Sequence, residues 1–257
     1  MGGNSTSTIQ GTQGIALNGQ EAAAGGTRAF NVADATGNAT ADLIISTAVK
    51  NAYISGNLTN LEKTGVGTMV LSGANTYTGS TTVTAGTLLI NGNSTAANGA
   101  VSVASGATLG GNGTIGGATT VLGDLRPGNS PGDLTFLNGL TLESSANTTM
   151  EIAGTGAGQF DRLLVTGQLT FGGTLTLNNT GYTATYGNSV DLFNWTTTTG
   201  NFSAITGTDL GGGLSWDTSS LYTDGVITVI PEPTTWALLA GSLTVLMVLR
   251  RRRSRSA

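Results

Sequence analysis

Along most of the chain, apolar residues alternate with polar ones for three to five positions and then stop at Gly, Asn or Ser. Val101/Val103, Leu134/Phe136, Leu140/Leu142, Met150/Ile152 and Leu163/Val165 are examples. A period of two turns one side of an extended strand inward and the other to solvent. Glycine and asparagine at the stops supply the positive φ values that corners need. The pattern also repeats. "GTMVLSG" at Gly67–Gly73 and "GTLLING" at Gly86–Gly92 align at an offset of 19, and "GATLGGNG" begins 20 further on, at Gly106. In a second phase, Val83, Val101, Val121 and Leu140 lie 18, 20 and 19 apart. A strand-and-corner unit of about 20 residues cannot bury its apolar face alone, but stacked coils of it can. The predicted fold from Ile9 to Val229 is therefore all-β, a parallel β-helix (solenoid) of about 20 residues per turn. A β-sandwich also has short strands every roughly 8–12 residues, but gives no reason for the self-match.

From about Gly154 the repeat loosens. Leu163, Leu169 and Leu175 stand six apart, which suits either three corners of one coil or a small hairpin meander. Most of the aromatics follow: Tyr182, Tyr186, Phe193, Trp195, Phe202, Trp216 and Tyr222. An open solenoid end exposes core and unpaired backbone, so 181–229 is expected to be a cap. An aromatic sugar-binding platform is the functional alternative.

Composition narrows the chemistry. Only 9% of residues are charged, against about 25% in ordinary soluble proteins, and glycine accounts for 41 of 257. There is no cysteine and no histidine. Disulfides, thiolate metal sites and His-based triads are thereby excluded, and no cofactor or metal is expected. Residues 1–230 hold 5 basic and 13 acidic groups, a net of −8. That body has no basic patch interleaved with aromatics, so nucleic acid is not an expected partner.

Parallel β-helices include glycan-cleaving enzymes, and a glycosidase needs two carboxylates about 5–10 Å apart. With coils of about 19 residues, Asp124/Glu143, Glu143/Asp161 and Asp133/Glu151 would each stack one rung apart. Thirteen acids in such a period produce coincidences of this kind, so the signal is weak. Lyase chemistry wants a cationic cluster, and the body offers only Arg28, Lys50, Lys63, Arg126 and Arg162, scattered. Glycine strings such as "LGGNGTIGG" lack the lysine and the strand–helix context of a phosphate cradle. The expectation is a protein that is not an enzyme.

The C-terminus, "VIPEPTTWALLAGSLTVLMVLRRRRSRSA", differs from everything before it. Thr234 to Leu249 is a 16-residue run without charge, about 24 Å as a helix. This is short of the roughly 30 Å bilayer core, but arginine stems can snorkel and the bilayer can thin. Trp236 suits an interface, and Pro233 is tolerated at a helix start. A core helix would show a polar face, and this run offers only Ser242 and Thr244. The expectation is a single transmembrane helix over 234–249. Arg250, Arg251, Arg252 and Arg253 would be held in the cytoplasm, with the body across the inner membrane.

Pro231-Glu232-Pro233, the apolar run and the arginines together resemble the PEP-CTERM sorting signal of Gram-negative bacteria, from Pro231 to Ala257. The resemblance implies recognition by an exosortase, cleavage near the PEP motif and delivery to a polysaccharide-rich exterior. "LEKTGVGTMVLSGANTYTGSTTVTAGTLLING", Leu61–Gly92, resembles the autotransporter-associated β-strand repeat along its whole length. Its K-T-G-x-G-T core, N-T-Y-T-G-x-T-x-V turn and A-G-T-L strand are all present. "GTIGGATTVLGDLRPGNSPGDLTF", Gly113–Phe136, is similar to the segment that follows it in such passengers. The resemblance implies a right-handed coil, and a surface fibre or stalk without catalysis. Its partners would be the exosortase, the inner membrane before processing, and extracellular polysaccharide. A glycan-active enzyme is the alternative. An adhesin with its own outer-membrane barrel ranks below both. The expected divisions are N-terminal coils over 1–60, repeat coils over 61–153, further coils and cap over 154–229, and the sorting tail over 230–257. "MGGNSTSTIQGTQGIALNG" shows neither a basic n-region nor an apolar h-region, so an export signal is expected in sequence upstream of Met1.

Overall fold

A computed structural model describes residues 5–17, 26–51 and 58–232. Among them the structure is all-β, built from parallel strands stacked coil upon coil into curled sheets, the arrangement of a β-solenoid. Each coil contributes to three faces in turn. The first face is a nine-stranded parallel sheet running from Ser7–Ile9 through Thr68–Leu71, Thr87–Ile90, Thr108–Gly111 and Asp124–Pro127 to Ala204–Thr206. The second face stacks Asn60–Thr64, Thr81–Val83, Val101–Val103, Thr119–Val121 and Leu140–Leu142. The third carries Asn93–Ser94, Thr114–Ile115 and Asp133–Phe136. The ten-residue strand Arg162–Phe171 turns the corner between third and second faces. Its first half pairs with Asp133–Phe136 and its second with Leu140–Leu142. Leu163, Leu169 and Leu175 therefore mark three faces of one coil, all fully buried. The hairpin meander does not form.

The alternation does what it predicts: inward positions line up from coil to coil. On the first face Met69, Leu88, Leu109 and Leu125 form one buried row. On the second, Val83, Val103, Val121 and Leu142 form another. Here the register corrects the repeat phase read from sequence. Val101 stacks on Thr81 and Thr119, and Leu140 on Thr119. Val101 and Val103 both face inward, so alternation alone could not choose between them.

The coil length is not constant. Thr68 pairs with Thr87, Thr87 with Thr108 and Thr108 with Asp124, advances of 19, 21 and 16. Asp124 then pairs with Asn147, Asn147 with Thr174 and Thr174 with Ala204, advances of 23, 27 and 30. Before the repeat the coils are also longer: Leu43 pairs with Met69, and Ser7 with Leu43. Stacked coils bring corners close together. A Cβ on Gly99 would sit 2.0 Å from the carbonyl oxygen of Gly79, so only glycine fits there.

Coil strands continue to Ala204–Thr206, inside the stretch expected to be cap alone. A separate four-stranded antiparallel sheet closes that end. Its order is Ser189–Asp191, Val226–Pro231, Leu214–Asp217, Asp209–Gly211.

Candidate functional site

The outward side of the first face holds a groove of about 430 Å³. Its floor follows from the register: Thr68, Thr87 and Thr108 stack one coil apart, with Leu89 beside them. One wall is the turn from Gly128 to Ser130, and the far end carries Glu151 and Asn178. Ser130 has φ +63° and is the one non-glycine residue with positive φ among the described residues. A serine held in the left-handed region costs energy that its surroundings must compensate.

Asp161 provides that hold. It is 1% exposed. Its Oδ1 accepts from the Gly132 amide at 2.9 Å and its Oδ2 from the Glu151 amide at 2.7 Å. One carboxyl thus ties the turn to the neighbouring strand. Burial pushes Asp161 up to about 7, against those two amides, and the charges of Glu151 and Asp133 add to the rise. Glu151 Oε2 is buried without a hydrogen-bond partner. Asp133 pairs with Arg162 through two bonds, 2.9 Å from Nε and 2.5 Å from Nη2, a bidentate geometry. That pairing, offset by burial, raises the Arg162 guanidinium further. Arg126 makes an exposed 3.2 Å pair with Asp124.

The acid pairs expected from a constant coil length do not stack. Asp124 registers with Asn147, Asp133 with Arg162 and Glu151 with Asn178. The coils at these positions are longer than those of the repeat, so a constant period misplaces every acid. The acids that do meet are Asp161 and Glu151, ten apart in sequence, brought together by the loop between their strands. Among the described residues no group of three or more His, Cys, Asp or Glu is placed to hold a metal ion.

Lys63, the lysine of the K-T-G core, occupies an inward position on the second face, stacked under Val83. It is fully buried. Its Nζ donates to the carbonyls of Thr64, Gly65 and Ala85 at 3.1, 2.8 and 3.0 Å, using all three protons. Burial lowers it to about 8, and Asp42 partly restores it. Burial pushes Asp42 up, but amides of Thr68, Thr36 and Ala35 outweigh that and leave it below the usual range.

The aromatics pack on one another. Phe171 meets Phe193 edge-on at 5.3 Å, Trp195 at 5.7 Å and Tyr222 at 5.3 Å. Tyr182 stacks on Trp216 at 5.7 Å. Phe193, Phe202 and Trp216 are buried, so most of the rings fill the closing end of the coil. Tyr186 alone of the seven is broadly exposed.

Of the sorting residues, Pro231 ends the strand Val226–Pro231 opposite Leu214, and the Glu232 amide bonds to Gly213 O at 2.9 Å. Pro233, Thr234, Trp236, Leu249 and Arg250–Arg253 lie outside the described residues. So does the helix expected at 234–249. Among the described residues no helix is long and apolar enough to cross a membrane.

A family model, the passenger-associated-transport-repeat, matches residues 61–90. These residues run from Leu61, through the first-face strand Thr68–Leu71, to the end of Thr87–Ile90, and so build the first of the narrow coils. The match points to an exported, surface protein of passenger type. No curated protein matches the chain.

Proposed function

We propose that this chain is the shaft of an exported bacterial cell-surface or matrix protein that performs no chemistry. The observation that carries this reading is the passenger-type repeat at 61–90, folded into successive coils of a capped solenoid. Winding is right-handed, the usual hand for parallel crossover connections. The hydroxyl- and amide-rich exterior is the contact surface with surrounding matrix. Delivery uses the tail: an exosortase reads Pro231-Glu232-Pro233, a membrane helix over 234–249 and the cytoplasmic Arg250–Arg253. The test is expression with an internal tag in a Gram-negative host that carries an exosortase. The expected product is shortened near residue 232 and digestible by protease added to intact cells, and removal of 234–257 abolishes the shortening. Full-length product confined to the cytosol in the presence of an export signal would overturn the reading.

A glycan-active enzyme is the second reading, favoured by one observation. Glu151 and Asp161 share a groove, and Asp161 keeps its proton to about 7. A carboxyl that keeps its proton near neutral pH is a candidate general acid. Against it, both Asp161 oxygens are occupied by backbone amides. Release of reducing ends from matrix polysaccharide, lost in Glu151→Gln, would establish the enzyme.

A further inference from the structure

We propose that the groove on the first face binds an uncharged, hydroxyl-rich oligosaccharide, extended along the coil axis. This deepens the reading of the chain as a matrix shaft, by giving that contact one place and one ligand chemistry.

Size comes first. About 430 Å³ lies within the range of small-ligand sites, roughly 300–1,000 Å³. The groove is preformed: Asp161 pins its wall from beneath, and Ser130 is held at φ +63° within that wall. Backbone strain of this kind gathers where a surface must keep one shape.

The floor decides the chemistry. Register sets Thr87 and Thr108 one coil apart, about 4.8 Å, and Thr149 lies further along. No described residue hydrogen-bonds the hydroxyls of these three threonines. Each hydroxyl both donates and accepts, which suits a partner whose groups do the same at regular intervals. Sugar hydroxyls meet that need. An extended peptide does not, because it docks by backbone pairing at an open sheet edge. Here the strand amides and carbonyls are already taken by coils above and below. Leu89 and Pro127 add a small apolar patch, suited to the C–H face of a sugar ring.

Charge excludes the other extended polymers. The groove's cation, Arg126, is already paired with Asp124, and Glu151 adds negative charge. A polyuronate or other polyanion would meet repulsion without compensation.

The test is an NMR titration of the purified full chain with a β-1,4-linked glucose hexasaccharide, a β-1,4-linked N-acetylglucosamine pentasaccharide and an oligogalacturonate. The expected result is shifts at Thr87, Thr108, Thr149 and Asn178 with a neutral sugar, and binding of the oligogalacturonate at least about tenfold weaker. Thr87→Val with Thr108→Val removes two hydroxyls at constant shape and should weaken binding about tenfold. Arg28→Ala, exposed on the strand Thr27–Asn31 away from the groove, serves as a control and should leave neutral-sugar binding within about threefold. No shift with either neutral sugar, equal binding by the double variant, or tighter binding of the oligogalacturonate would each overturn the proposal. The titration does not depend on export. A chain that binds sugar yet stays in the cytosol would sink the shaft reading and leave this site standing.

Discussion

Between Thr68 and Asp124 the turns of this solenoid are short, with advances of 19, 21 and 16, whereas beyond Asn147 the advances are 27 and 30. The interiors differ to match. The narrow coils are filled by rows of Val, Leu and Met: Val83, Val103 and Val121 on one side, Met69, Leu88 and Leu109 on another. The wide coils have six-residue strands, Asn147–Ile152 and Thr174–Asn179, and hold Phe171, Phe193 and Phe202 in edge-on and tilted contacts. A longer perimeter encloses more cross-section, and only larger side chains fill it at protein density. Circumference and filler size therefore change together. Glycine corners pressed on a neighbouring carbonyl occur in both regions, at Gly99 as at Gly173 and Gly207, so aromatic volume is what sets the wide coils apart.

The largest expected effect tests the aromatic half. Phe193→Ala, fully buried among Phe171 and Phe202, should cost about 4 kcal/mol in urea unfolding. A loss under about 1 kcal/mol would mean that wide coils do not rely on ring packing. Next comes the corner. Gly99→Ala drives a Cβ into the Gly79 carbonyl and should cost about 2–3 kcal/mol. Gly181→Ala, where nothing lies within 4 Å of the added atom although φ is +123°, should cost about 1 kcal/mol. Equal losses would mean that the carbonyl contact at Gly99 adds nothing to the cost of replacing a glycine.

The two regions also carry opposite titrations. Asp161 has a folded value near 7, above the carboxylate's ordinary 3.8. The folded chain thus holds the extra proton between these values, and stability falls as pH rises from about 4 to 7. Asp191, also raised by burial, acts in the same direction. Lys63 has a folded value near 8, below 10.5, so the unfolded chain holds the extra proton there. Stability then rises with pH from about 8 to 10. Asp42, lowered, affects only more acid conditions. Urea midpoints should pass through a minimum between about pH 7 and 8, with a fall on the acid side on the order of 2 kcal/mol. Asp161→Asn should flatten the acid limb alone, and an unchanged limb in that variant would remove Asp161 as its cause.

The smallest effect sits at the join. Thr148 continues the apolar row between Leu125 and Leu175, and its hydroxyl is fully buried without a partner. Thr148→Val removes an unsatisfied group at equal shape and should stabilise by about 1 kcal/mol, read from the urea midpoint.

Alternation, all-β class and stacking could be read directly, because burial on one side of a strand leaves a mark at every second residue. The repeat phase was legible where coils are narrow, at Gly67 and Gly86. It failed at Val101, where two inward valines compete, and beyond Asn147. There the added length enters as longer strands and as the loop between Ile152 and Arg162, written in the same Gly, Thr and Asn. The groove was illegible for the same reason. Asp161 and Glu151 meet through that loop, and no fixed period predicts it. The burial of Lys63 was illegible too, since it follows only from knowing that its strand turns that position inward.

The strand Val226–Pro231 is the last one before the tail, and it lies in the middle of its sheet, between Ser189–Asp191 and Leu214–Asp217. A terminal strand on a sheet margin can fray one bond at a time from a single neighbour. This one is held by two neighbours in turn, its outer half Thr228–Pro231 by Leu214–Asp217 and its inner half Val226–Thr228 by Ser189–Asp191, so tension applied through Glu232 that opens the first ladder still has the second to open. The molecule is thereby fastened at the point where its tail would pull.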